Sequence, residues 1–143
     1  DNFVALAAEV AAERGDAELA RWCLPHLDAA GDGVVIVGIG TGALGFAHHF
    51  AGLALFALGD LRAARARLEI AGSLAAENGA ALWWGHSQVA LARVLIASGD
   101  RNGAAAAIAR AEVTGLPGQS PRLARMIRHL REQHEIPRRS VTP

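Results

Sequence analysis

The chain has 143 residues, the length of one domain, with fourteen arginines balancing fourteen acids, no lysine and one cysteine. A lone Cys23 excludes an internal disulfide framework, and the missing lysine excludes a P-loop, a Schiff base or a lysine general base. Zero formal charge excludes a whole-molecule pull toward nucleic acid or acidic membrane, and 52% apolar residues, 32 of the chain being alanine, exclude global disorder.

In chain order, the apolar spacing predicts a first helix over about 2–14, with Leu6 and Val10 at helical period. Gly15-Asp16 then makes a turn into a second helix over about 17–30, which Pro25 is expected to bend or end. Val34-Val35-Ile36-Val37 and the glycines after it read as a link. A third helix is predicted over about 42–58 (Phe50, Leu53 and Leu58 on its apolar side) and a fourth over about 61–78, with Gly59-Asp60 between them. A fifth over about 80–98 carries Val89, Leu91, Val94 and Leu95, and Gly99-Asp100 leads into a sixth over about 101–114. Ser120-Pro121 opens a last helix to about 134, with Ser as N-cap and Pro in the first turn. Residues 135–143 read as a tail or linker, and the start at Asp1 implies a piece of a longer protein.

The three Gly-Asp pairs stand 44 and 40 residues apart in similar surroundings. Each is followed five positions after the glycine by a small residue (Ala20, Ala64, Ala104) and nine positions after it by an aliphatic one (Leu24, Leu68, Ile108). At twelve come Leu27, Ala71 and Ala111. A glycine ends one helix in the left-handed conformation and the aspartate caps the next, so each pair predicts a helical hairpin. Small residues on the second helix let its partner approach closely.

These repeats resemble tetratricopeptide-type units. The closer likeness is to the helical C-terminal regions of large bacterial ATP-dependent transcriptional regulators of the LuxR type and their cyclase-linked relatives. It rests on Leu24-Pro25 before Val34 to Gly38, on Gly52-Leu53-Ala54 with Leu58-Gly59-Asp60, and on Gly79-Ala80 and Trp83 with Ala92-Arg93, Leu95 and Gly99-Asp100, spanning about residues 4–130. Trp84, His86 and the His48-His49 pair depart from the pattern. The resemblance implies an all-α fold of stacked antiparallel helix hairpins, a tetratricopeptide-like right-handed superhelix. It has three hairpins at about 2–30, 42–78 and 80–114, and a capping helix at about 121–134. Residues 1–134 then form one domain. That family's ATPase and DNA-binding motifs fall outside this segment.

Several signals compete with this picture. Gly40-x-Gly42-x-x-Gly45 after the Val run fits a dinucleotide fingerprint, with Asp60 near the place of a ribose-binding acid. A nucleotide-binding domain using segment 38–45 is therefore the alternative reading, although no β-branched run follows to supply the second parallel strand. Residues 33–58 carry no Asp, Glu, Lys or Arg, but their glycines, the histidine pair and the lack of a basic flank favour a buried central helix over a membrane span. Cys23-x-x-His26 is half of a zinc spacing with no second half, so no metal is expected. His86 and Ser87 are neighbours that point about 100° apart on a helix, with no acid to orient the ring, so no catalytic residue is assigned. Trp83 and Trp84 cannot both face inward, and which one is exposed is left open.

On a stack of hairpins the first helix of each pair lines the inner face. The candidate partner-binding residues there are His49, Phe56, His86 and Arg93, with Leu53 and Val89 beside them and Trp84 as an aromatic anchor. Arg93 is expected to pair with an acidic group of a bound peptide or helix. From Ser120 onward six arginines face two acids, and Arg122, Arg125, Arg128 and Arg131 recur every three residues as a basic stripe. A basic-helix nucleic-acid module is the other alternative, but no aromatic interleaves the arginines and nucleic acid is not expected as a partner. The sequence thus reads as a non-catalytic protein-interaction or sensor scaffold, cytoplasmic and without cofactor. Its expected partners are a protein or peptide, other domains of its own protein, or a second copy.

Overall fold

The computed structural model describes residues 2–37, 42–114 and 118–137. Helices α1 (Asn2–Arg14) and α2 (Ala17–Ala30) form the first hairpin, α3 (Ala47–Ala57) and α4 (Leu61–Glu77) the second, and α5 (Ala81–Ala97) and α6 (Arg101–Val113) the third; α7 (Pro121–His134) closes the order. Strands β1 (Val34–Val37) and β2 (Gly42–Phe46) lie between α2 and α3. The fold is all-α apart from this one two-stranded sheet among the described residues.

The three Gly-Asp turns follow from local chemistry. Gly15, Gly59 and Gly99 hold φ of 66°, 79° and 87°, where a side chain would be strained. Asp16, Asp60 and Asp100 then accept from the backbone N–H groups of Leu19, Ala63 and Gly103 at 3.0, 3.0 and 2.7 Å, capping α2, α4 and α6. The small residues at the fifth position, Ala20, Ala64 and Ala104, are all fully buried. At the α3–α4 crossing Leu68 fills the notch of Gly52, where a Cβ would stand 2.6 Å from the leucine Cγ. Burying a leucine in this way contributes roughly 1.5–3 kcal/mol.

Two expectations need correction, the start of the third helix and that of the tail. The third helix starts at Ala47, and residues Gly42–Phe46 are strand: the β-branched run of β1 offers an antiparallel ladder to a glycine-rich stretch with low helix propensity. The pairing joins Val34 to Phe46 and Val37 to Gly42, with an irregularity between Val35 and Ile36. Pro25 lies inside α2, which runs over the expected range to Ala30. It sits exposed, so the carbonyl it leaves without a donor can turn to water. In α1, Leu6 and Val10 keep the helical period expected of them but lie outside the core. They point outward at 47% and 46% exposure, while Val4, Ala5, Ala8, Ala11 and Ala12 face inward. The tail, finally, begins later than residue 135. Ile136 is 5% exposed within the same apolar cluster as Val4 and Leu123, after Glu135 caps α7 in the left-handed conformation. Arg138, Arg139 and the rest of the tail lie outside the described residues.

The stack is uneven. Helix α3 packs on α1, α2 and α4, whereas α5 packs on α4 and α6 and barely meets α3. Helix α7 lies on α5, with Leu123 against Gly85. No described helix is long and apolar enough to cross a membrane.

Candidate functional site

The space where α3 and α5 part is a cleft of about 250 Å³. His49 and Leu53 of α3 line it opposite His86, Ala90 and Arg93 of α5. Glu9 and Glu13 of α1 form a third wall, and Arg122 and Met126 of α7 lie across the opening. Three of the expected inner-face residues, His49, His86 and Arg93, therefore meet. Phe56 supports them from below, its ring centroid 5.1 Å from the Arg93 guanidinium carbon. Val89, fully buried, is core rather than lining.

The acid expected from a partner of Arg93 comes from the chain itself. Arg93 NH1 lies 2.9 Å from Glu13 Oε1, and its NH2 donates to the Ala12 carbonyl at 3.3 Å. Arg122 pairs with Glu9 at 2.8 Å. Glu9 and Glu13 are four residues apart and share a helix face, a spacing the sequence displays but which has meaning only once two arginines stand opposite.

Both imidazoles are buried, at 6% exposure for His49 and 7% for His86. His49 Nδ1 lies 3.3 Å from Ser87 Oγ. His86 stacks at an angle on Trp83, centroids 5.5 Å apart, and makes no hydrogen bond to a described residue. Burial, then the neighbouring His86, Arg122 and Arg93, push the His49 pKa down to about 3. Burial and then Arg122 push that of His86 to about 4. Both rings are neutral at neutral pH. Among the described residues no carboxylate hydrogen-bonds either ring, and Ser87 is 2% exposed, so the His49–Ser87 pair has neither orienting acid nor open access.

Trp84 lies elsewhere. It is half-buried against Ala106, Ala109 and Arg110 of α6, on a different side from the cleft. Trp83 is half-buried too, its ring over the backbone of Gly45, where a Cβ would be 2.8 Å from Cε3. The two tryptophans thus divide between the β-hairpin and α6.

The basic stripe is split. A step of three residues turns 300° on a helix, so four such positions sweep half the circumference. Arg122 turns into the cleft. Arg131 turns to Glu112 of α6, with Nε to Oε1 at 3.2 Å and NH2 to Oε2 at 2.8 Å, and also donates to the Ile136 and Pro137 carbonyls. Arg125 and Arg128 lie exposed, and Arg122, although it pairs with Glu9 at the cleft, is exposed as well.

The adjacent His48 serves a separate network. Arg67 NH1 donates to its Nδ1 at 2.9 Å, which leaves the proton on Nε2, directed at Asp32 Oδ1 at 2.9 Å. Arg67 also holds Asp28. The set ties the α2–β1 loop to α3 and α4. Cys23 is buried, its thiol pKa raised by desolvation, and His26 lies exposed against Trp22. No cluster of three metal-ligating side chains occurs among the described residues. Gly40 of the dinucleotide fingerprint lies outside the described residues. Gly42 and Gly45 sit on a strand antiparallel to β1, not in a turn that opens a helix beside a parallel sheet.

Comparison of the chain with protein-family models, with curated proteins and with solved structures gave no match.

Proposed function

We propose that this segment is a non-catalytic recognition scaffold of tetratricopeptide-like hairpins, part of a larger bacterial transcriptional regulator of the kind its sequence resembles. It docks through α1 onto a helix or apolar face of another domain or a second copy. The observation that supports this most directly is the outward stripe of α1. Phe3, Leu6 and Val10, at i, i+3 and i+7, are 72%, 47% and 46% exposed. The terminal helix of a hairpin stack ordinarily turns a polar face to water, and an apolar stripe on it calls for a covering surface. Trp22 of α2, 47% exposed, adds an aromatic group to the same hairpin.

Sedimentation velocity over a range of concentrations tests this reading. The protein is expected to self-associate, or to bind its natural flanking domains when these are added. A Phe3→Ser, Leu6→Gln, Val10→Thr variant should lose that association with its helical circular dichroism unchanged. Identical sedimentation of both proteins, with and without those domains, overturns the reading.

A further inference from the structure

We propose that the inner cleft binds a small organic anion, a carboxylate of a few heavy atoms seated between His86, Arg93 and Arg122 with its apolar part on Leu53, Ala90 and Met126. The site is separate from the outward stripe of α1 and does not depend on it. Three observations meet here.

First, His86 is a polar side chain 93% withdrawn from solvent that lines the cleft and has no hydrogen-bond partner among the described residues. No fully buried side-chain nitrogen or oxygen among the described residues lacks a partner, so the free ring nitrogen of His86 is open to the cleft, where a ligand atom can meet it. Second, the guanidinium groups have donors to spare. Arg122 gives only NH2 to Glu9, and Arg93 gives NH1 and NH2 to Glu13 and the Ala12 carbonyl, leaving its Nε. Third, cationic charge bears on the two buried rings, although the lining balances two arginines with two glutamates. Both arginines bear on His49, and Arg122 bears on His86. Arg93 reaches inward from its pair, its side chain 19% exposed against 68% for Glu13, whereas Arg122 stands at the rim at 55% with Glu9 behind it at 25%.

Size and lining set the ligand class. About 250 Å³ is room for roughly eight waters at ~30 Å³ each, too little for a peptide helix or a nucleotide. Leu53 at 6% and Ala90 at 3% exposure, with Met126, give an apolar floor for a short carbon chain. A carboxylate would accept from the Arg122 fork and from His86 Nε2–H or Nδ1–H, whichever carries the proton.

The experiment is ¹H–¹³C NMR of the whole chain titrated with butyrate, with butyramide and inorganic phosphate in parallel arms. Butyrate is expected to shift the His86 ring and Met126 methyl signals saturably, and butyramide not to. Arg122→Gln, at a half-exposed rim position, should weaken the butyrate response by about tenfold with the helical spectrum intact, as loss of a charged hydrogen bond does. His86→Phe, which keeps the bulk, should weaken it as well. Equal shifts with butyramide, saturation by phosphate but not butyrate, an unchanged response in Arg122→Gln, or no saturable shift at all overturns the proposal.

Discussion

Helix α1 has two sides that contrast in every respect. Its inner side is built of small residues: Ala5, Ala8 and Ala11 are fully buried, and Glu9 and Glu13 beside them are each tied to an arginine. Its outer side carries the larger hydrophobes Phe3, Leu6 and Val10, uncovered. Close approach of α3 selects for the absence of side-chain bulk, and that constraint overrides the tendency of large apolar groups to face inward. The inner side is finished by the chain itself, whereas the outer side is left for another surface.

The largest test of the contrast is pH. The cleft's two imidazoles, His49 and His86, have folded pKa values lowered to about 3 and about 4 from 6.5. They are faced by Glu9 and Glu13 of α1, Arg93 of α5 and Arg122 of α7. As pH falls below about 6.5 the unfolded chain takes up protons that the folded cleft refuses. Stability therefore falls through the window down to about pH 4 and levels off for these two groups below about pH 3. At about 1.4 kcal/mol per tenfold change in proton affinity, the loss is several kcal/mol. Urea midpoints measured across this window should drop steeply, and the slope should be shallower in His86→Gln. A parallel decline in both proteins breaks the assignment of the acid sensitivity to the cleft.

Next comes bulk on the inner side. Ala8→Leu puts three extra carbons where α1 is fully buried and should destabilise by about 1–3 kcal/mol. Thermal unfolding reads it directly. If Ala8→Leu is neutral, α1 is not closely packed and the explanation of its reversed faces fails. Third, Arg93→Met keeps the length over Phe56 but frees Glu13 and the Ala12 carbonyl. A loss of about 1–2 kcal/mol is expected, reduced in high salt because Glu13 is exposed.

The same contrast explains what could be read from the residues and what could not. The Gly-Asp turns were legible because a left-handed glycine and an aspartate cap act within four residues, and six of the seven helices fall within one residue of their expected limits at both ends. Strand β2 was not, because Gly42–Phe46 gains its conformation from the ladder with Val34–Val37, a contact between segments. The facing of α1 was not, because Leu6 and Val10 show helical period on whichever side they lie, and only the neighbour's distance decides between them and the alanines. His49, His86 and Arg93, expected on one face by analogy with tetratricopeptide units, line one cleft. Glu9 and Glu13 were missed, and Arg122 was expected on a basic stripe rather than at the cleft, since nothing local shows that α1 and α7 fold over the gap between α3 and α5.

The smallest expected effect is the most discriminating. Leu6→Gln removes an apolar side chain from a helix and should cost no more than about 0.5 kcal/mol, because at 47% exposure the leucine has little burial to lose and glutamine is a good helix former. Leu53→Gln, a chemically identical change on the cleft wall at 6% exposure, should cost several times as much. Equal losses at the two positions would mean that Leu6 is covered in solution. A concentration-dependent unfolding midpoint for the Leu6 protein's parent, absent in Leu6→Gln, would then identify a second copy as the cover, since only an associating surface makes stability depend on protein concentration.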